Sequence, residues 1–281
     1  MKRDKVKQFA KANMSASGWL ILYIILQSVV MMAVMIYSIY HDEDFAYQFL
    51  IVFEPIVAMD NWFEKQKKTM EGLSYIMTNK MSIILFLSSV VTIIISMLIL
   101  WRRKAQIIKV PQKEVILRYI QIGLLLNLFL TVVISYVPDN YSGSHELAEK
   151  LALSGGLWLD MLTTGLLVPI TEELIFRFGI LKALQKYRCT YAIVYQALLF
   201  GVLHGNIVQS LYAFGLGLYF GYLAVKHDHI TYGVIIHVTI NLSSVLVGYS
   251  GIDDTVGLFG LFMLCFFISS SYRIAIWYKN R

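Results

Sequence analysis

Six polar side chains in the second half of this chain have the types and spacing that acid–base chemistry needs. Glu172 and Glu173 are adjacent, with Arg177 four residues beyond the second; His204 follows Phe200 by four; Asn241 follows His237 by four. Each set interrupts an apolar stretch. A charge at bilayer depth costs roughly 2.5–3.5 kcal/mol on insertion scales, so ionisable groups there mark a functional site by default. On an α-helix residues four apart share a face, so Glu173 reaches Arg177, while Glu172, turned by about 100°, points elsewhere. An ion pair between Glu173 and Arg177 lowers the cost of burying both and leaves Glu172 free to face a cavity. A carboxylate withdrawn from water is a candidate general base, and an imidazole and an amide can stabilise a developing negative charge. A second chemistry uses the same groups: Glu172, His204 and His237 could supply a His₂Glu zinc set, a Zn²⁺ site with an open fourth position. Taken singly, each residue has a plainer reading: interhelical hydrogen bonding for either histidine, an interfacial cluster for Glu-Glu-x-x-x-Arg, core packing for Phe200. Their coincidence, with almost nothing ionisable in the other apolar spans, singles them out.

The elements that must position these groups follow from composition and charge. The chain has 281 residues, 58% hydrophobic and only 15% charged, against about a quarter charged in soluble domains. This is the composition of an integral membrane protein. Its net charge of +6 comes from short basic clusters between apolar runs, a topology signal rather than a nucleic-acid surface. Basic residues Lys2 to Lys11 precede a first helix at 17–40 and place it with its start in the cytoplasm. A second helix covers 81–101 and a third 115–137. The stretch 46–53 is cut by Glu54-Pro55 and reads as an interfacial segment. The fourth segment runs from 151 to the basic patch Lys182, Lys186 and Arg188, with Asp160 as a cap or interhelical hydrogen-bonding group. The stretch 189–225 would be roughly 55 Å long as one helix, nearly twice the hydrocarbon thickness, so it must be two, broken at Gly205-Asn206. Helix seven covers 230–252 and helix eight 255–277. His227 and His229 fall in the loop before helix seven and read as solvated. Cys189 and Cys265 read as packing residues without a disulfide. The expected fold is all-α: one polytopic domain over 1–281 with about eight transmembrane helices and both termini cytoplasmic. The fragment His145-Glu146-Leu-Ala-Glu149 resembles half of a zincin HExxH motif but lacks the second histidine, and reads as loop.

The three sets, in order and each on an expected membrane helix, resemble the motifs of the CPBP family: the CAAX proteases and bacteriocin-processing enzymes, also called Abi proteins. The resemblance covers about 155–250, with the catalytic helices within 151–250. It implies a glutamate-dependent intramembrane endopeptidase acting on lipidated, CAAX-like or bacteriocin- or pheromone-type peptides, in the cell membrane among its lipids. By that resemblance Glu172 is the base, His204 its partner in holding a water, and His237 and Asn241 donors to the oxyanion. Glu173, Arg177 and Phe200 are structural or substrate-orienting. It also implies, for some members, bacteriocin immunity without catalysis.

A small proton-coupled transporter fits less well, since no repeat with matched Gly/Pro breaks occurs in the two halves. Counting about 1.5 Å per residue from the inner helix ends puts Glu172, His237 and His204 at depths of about 15, 10 and 21 Å. Upright helices cannot reconcile these. Helix five must tilt or start deeper, or the Gly205-Asn206 turn must lie within the membrane, where irregular backbone is tolerated only when buried or lining a wet cavity. A water-filled cavity open to the cytoplasm is the expected solution, with Gly201-x-x-x-Gly205 and Gly217-x-x-x-Gly221 allowing close backbone approach.

Overall fold

Long apolar runs fold as helices in lipid because only a helix satisfies every backbone N–H and C=O within its own segment. The computed structural model describes residues 2–47, 49–50, 61, 64, 68, 78, 80–102, 108–137 and 150–279. Its main elements are α1 (Lys2–His41), α2 (Met81–Arg102), α3 (Lys113–Ile134), a continuous helical run over 157–185 termed α4, α5 (Cys189–Val202), α6 (Ile207–His227), α7 (Thr231–Ser250) and α8 (Asp254–Lys279). Among the described residues there is no strand, and α1, α2, α3, α6, α7 and α8 each hold a stretch long and apolar enough to cross a membrane. The protein is an all-α, polytopic membrane protein. The interfacial segment expected at 46–53, the outer loop 138–144 and the His145–Glu149 fragment lie wholly or largely outside the described residues.

α1 begins at Lys2 rather than at 17, so the basic stretch expected to precede it is helical too, and two further elements differ from the sequence expectation. α4 begins at Leu157 rather than 151, because Gly156 at φ 83° breaks the backbone before it. It is also not uniformly α-helical: Thr163–Leu167 and Glu173–Leu181 are π-helical, separated by the α-helical Val168–Glu172. Pro169 explains part of this. It has no N–H to donate backward, and the preceding turn adopts i→i−5 bonding, with Val168 N–H donating to the Thr163 carbonyl. The second difference is α5, whose 14 residues extend only about 21 Å, short of a bilayer core of about 30 Å. The turn that follows carries Gly205 at φ 75°, and Asn206 caps α6 by accepting from Gln209 N–H.

Packing places α4 at the centre. Trp19 of α1 lies over Gly179, where an added Cβ would meet its ring at 2.6 Å, and packs edge-on to Phe178. One apolar cluster joins α1, α4 and α5; a second joins α3, α6 and α7. Gly201, Gly217 and Gly221 do mediate close approach between α5 and α6, whereas Gly205 supplies the turn instead.

The polar residues outside the three sets resolve as follows. Asp160 is fully buried and joins three segments: Ser82 of α2 donates to it at 2.5 Å, Tyr249 of α7 at 2.7 Å, and the Gly155 N–H at 3.1 Å. His229 is not solvated, and His227 only partly so. Tyr119 OH meets His227 Nε2 at 3.0 Å, Tyr232 stacks on His229, and His229 is buried. Burial holds the His229 imidazole below its ordinary range, and the neighbouring Asp228 carboxyl is held low by Lys182. The reason is local: the His227–His229 turn folds back onto α3 rather than into water. Cys189 and Cys265 are free, but Cys189 is exposed at the start of α5 rather than packed.

Replacing Asp160 with alanine leaves the Gly155 N–H and the Tyr249 hydroxyl without their buried acceptor. The expected loss is roughly 1–3 kcal/mol, read by unfolding of the purified protein in detergent; a variant as stable as the parent would show that this junction contributes nothing.

Candidate active site

Glu173 and Arg177 are both 0% exposed, and Arg177 Nη1 lies 3.2 Å from Glu173 Oε1, as residues four apart allow. The guanidinium is enclosed by aromatic faces rather than by acceptors: its Cζ sits 4.4 Å from the Phe200 ring centroid, 5.1 Å from Phe220 and 5.9 Å from Phe176. Such contacts are attractive within about 6 Å and strengthen when water is excluded. None of its three nitrogens makes a hydrogen bond among the described residues, and Glu173 Oε2 is equally without a donor. The pair is held by charge, not by hydrogen-bond geometry.

His237 joins both carboxylates. Its Nδ1 is 3.1 Å from Glu173 Oε1 and its Nε2 3.5 Å from Glu172 Oε2. Its ring is clamped by Phe220 stacked at 4.8 Å and by Phe200 edge-on at 5.9 Å. Glu172, expected to point away from Glu173, nonetheless reaches the same imidazole, at the step where an α-helical turn ends and a π-helical one begins. Glu172, with a side chain 12% exposed, is the more open of the two.

His204 and Asn241 are placed close to the same structure but engage the backbone. His204 donates from Nδ1 to the Phe200 carbonyl at 2.8 Å, and its ring meets Phe200 edge-on at 5.0 Å. This hydrogen bond leaves Nε2 as the ring's free nitrogen. Asn241 donates from Nδ2 to the Thr164 carbonyl at 3.0 Å. That carbonyl has lost its helical donors: Val168 N–H goes to Thr163, and Pro169 has none. Asn241 thus satisfies an acceptor that Pro169 orphans, and retains a second amide hydrogen.

Sequence reasoning missed three residues. Gly233 lets α7 reach Glu173, since an added Cβ would lie 2.6 Å from Glu173 Oε2. Phe220 stacks on His237 and flanks Arg177. Tyr23 of α1 faces the Glu172 charge and meets Phe176 edge-on at 6.3 Å. Nothing in their spacing distinguishes them from packing residues. A cavity of about 450 Å³ lies at the end of α1, lined by residues including Tyr37, Asp42 and Lys80.

The donor set does not gather for a metal. Among the described residues no group of three or more His, Cys, Asp or Glu side chains is placed to hold an ion. His237 commits both nitrogens to carboxylates and His204 turns Nδ1 to its own helix.

Residues 154–243 match the family described as type II CAAX prenyl endopeptidase, Rce1-like. The matched segment spans α4 to α7 up to Ser243 and contains all three motif sets. It is an Rce1-like domain of the CPBP family. No curated protein and no solved structure matches the chain. The match covers 90 of the 281 residues and is to a family of membrane endopeptidases.

Gly233→Ala is expected to force Glu173 aside at a cost of about 1–3 kcal/mol, the usual range for overpacking. Adding Glu173→Asp, one methylene shorter, should recover part of that loss in detergent unfolding; additive losses would show that the two positions do not compete for space.

Proposed function

We propose that this protein hydrolyses a peptide bond near the C-terminus of a lipidated, CAAX-like peptide, using a water activated at Glu172. The observation that carries the reading is the pairing of His237 with both carboxylates inside the segment that matches the endopeptidase family. Glu172 is the more open carboxylate, with His237 Nε2 3.5 Å from its Oε2.

In the proposed reaction Glu172 accepts a proton from water as the oxygen attacks the scissile carbonyl carbon. His204, through Nε2, holds the same water. The tetrahedral oxyanion receives hydrogen bonds from His237 and from the free hydrogen of the Asn241 amide, groups already fixed in place and so needing little reorganisation. Collapse breaks the C–N bond, and the proton held by Glu172 passes to the leaving amine. The products are a new carboxylate and a new amino group. Glu173 and Arg177 balance charge beside the reacting groups, and Phe200 holds both imidazoles and the guanidinium on its ring.

Glu172→Gln and His204→Ala should each lower cleavage of a farnesylated peptide ending in Cys-aliphatic-aliphatic-X by about 10²-fold or more, with membrane insertion unchanged. Cleavage at the parent rate by either purified variant in liposomes would overturn the assignment.

A further inference from the structure

We infer that Glu173 is a positioning residue that fixes which nitrogen of His237 carries the hydrogen, and that Arg177 acts through Glu173 in doing so. The inference deepens the reading of Glu172 as the base and rests on it. An ionised carboxylate can only accept hydrogen bonds. With Glu173 Oε1 3.1 Å from Nδ1, an ionised Glu173 requires the hydrogen on Nδ1 and turns the lone pair of the neutral ring, on Nε2, toward Glu172 Oε2 at 3.5 Å.

Two features fix Glu173 at this edge of the ring. A guanidinium keeps its charge, and Arg177 Nη1 lies 3.2 Å from the same Oε1, with both side chains 0% exposed. The other carboxylate oxygen, Oε2, abuts Gly233 and has no donor among the described residues, so only the Oε1 edge is engaged. Arg177 itself has no hydrogen-bond partner to compete for it. The aromatic rings around it supply a second restraint: Phe200 and Phe220 contact both the guanidinium and the His237 ring. His237 therefore cannot turn over without displacing the rings that hold Arg177.

The consequence is a directed line of groups, Arg177 to Glu173 to His237 Nδ1, and His237 Nε2 to Glu172. Nε2 is reserved for the reacting side. There it takes up the proton that Glu172 has accepted from water, donates to the oxyanion while holding it, and returns it through Glu172 to the leaving amine. Glu173 is fully buried, so its effect is read through the orientation and hydrogen position of His237.

The test is ¹⁵N NMR of the liposome-reconstituted protein with ¹⁵N-labelled histidine, the His237 signals being assigned by their loss in His237→Gln. In the parent protein Nδ1 should give the signal of a nitrogen bearing hydrogen. A lone-pair signal at Nδ1 overturns the inference, and this readout needs no variant of Glu173 to fold. In Glu173→Gln the His237 signals should shift, with kcat on the farnesylated peptide down at least tenfold and KM within about twofold; Glu173→Asp should restore part of kcat. Unchanged His237 signals and kcat in a folded Glu173→Gln protein would equally overturn it. Retained cleavage in Glu172→Gln would instead defeat the choice of base, while the hydrogen position on His237 would be measured regardless.

Discussion

The buried ion pair between Glu173 and Arg177 is the constraint on which the rest of this fold depends. Two fully buried charges with no hydrogen bond between them are costly, and breaking such a pair by removing one partner typically costs about 3–5 kcal/mol. The structure offsets the cost by enclosing the cation in three aromatic rings and by bringing a histidine to the anion. Each of these supports comes from a different helix: Phe200 from α5, Phe220 from α6, His237 from α7. The pair thereby ties together helices distant in sequence, and it does so where the lipid environment provides little hydrophobic drive for helix association.

α4 changes from α to π geometry at 172–173, and at that step one imidazole meets both carboxylates. Pro169 lies one turn earlier, and Asn241 satisfies the Thr164 carbonyl that its missing N–H leaves open. Asn241 and His237 are one helical turn apart on α7, so the helix that orients the imidazole also secures the distorted backbone of α4. π-helical turns concentrate at functional sites because the local strain re-aims particular side chains, and here the re-aimed groups are the two carboxylates.

Much of this was legible from residue types and spacing. The absence of charge over long runs specified the membrane helices, and Glu173 with Arg177 specified an ion pair by their four-residue separation alone. The three motif sets marked the segment later matched as an Rce1-like domain. The convergence of Glu172 and Glu173 on His237 was not legible, because a helical wheel shows which residues of one helix share a face and not which side chain of another helix reaches between two of them. The histidines at 227 and 229 were misread for a related reason: a short polar tripeptide signals a loop but not the direction in which the loop folds. Gly233 and Phe220 resemble any small or aromatic residue of a membrane helix until the partner across the interface is known.

The central claim is that a carboxylate in this buried network activates water for attack on a peptide carbonyl. A single turnover in H₂¹⁸O, with purified protein in liposomes in excess over a farnesylated CAAX-like peptide, tests it most directly. The account predicts one ¹⁸O in the newly formed product carboxylate and none in Glu172. Absence of cleavage, or ¹⁶O in the product with ¹⁸O in Glu172, the mark of direct attack by the carboxylate, would contradict it.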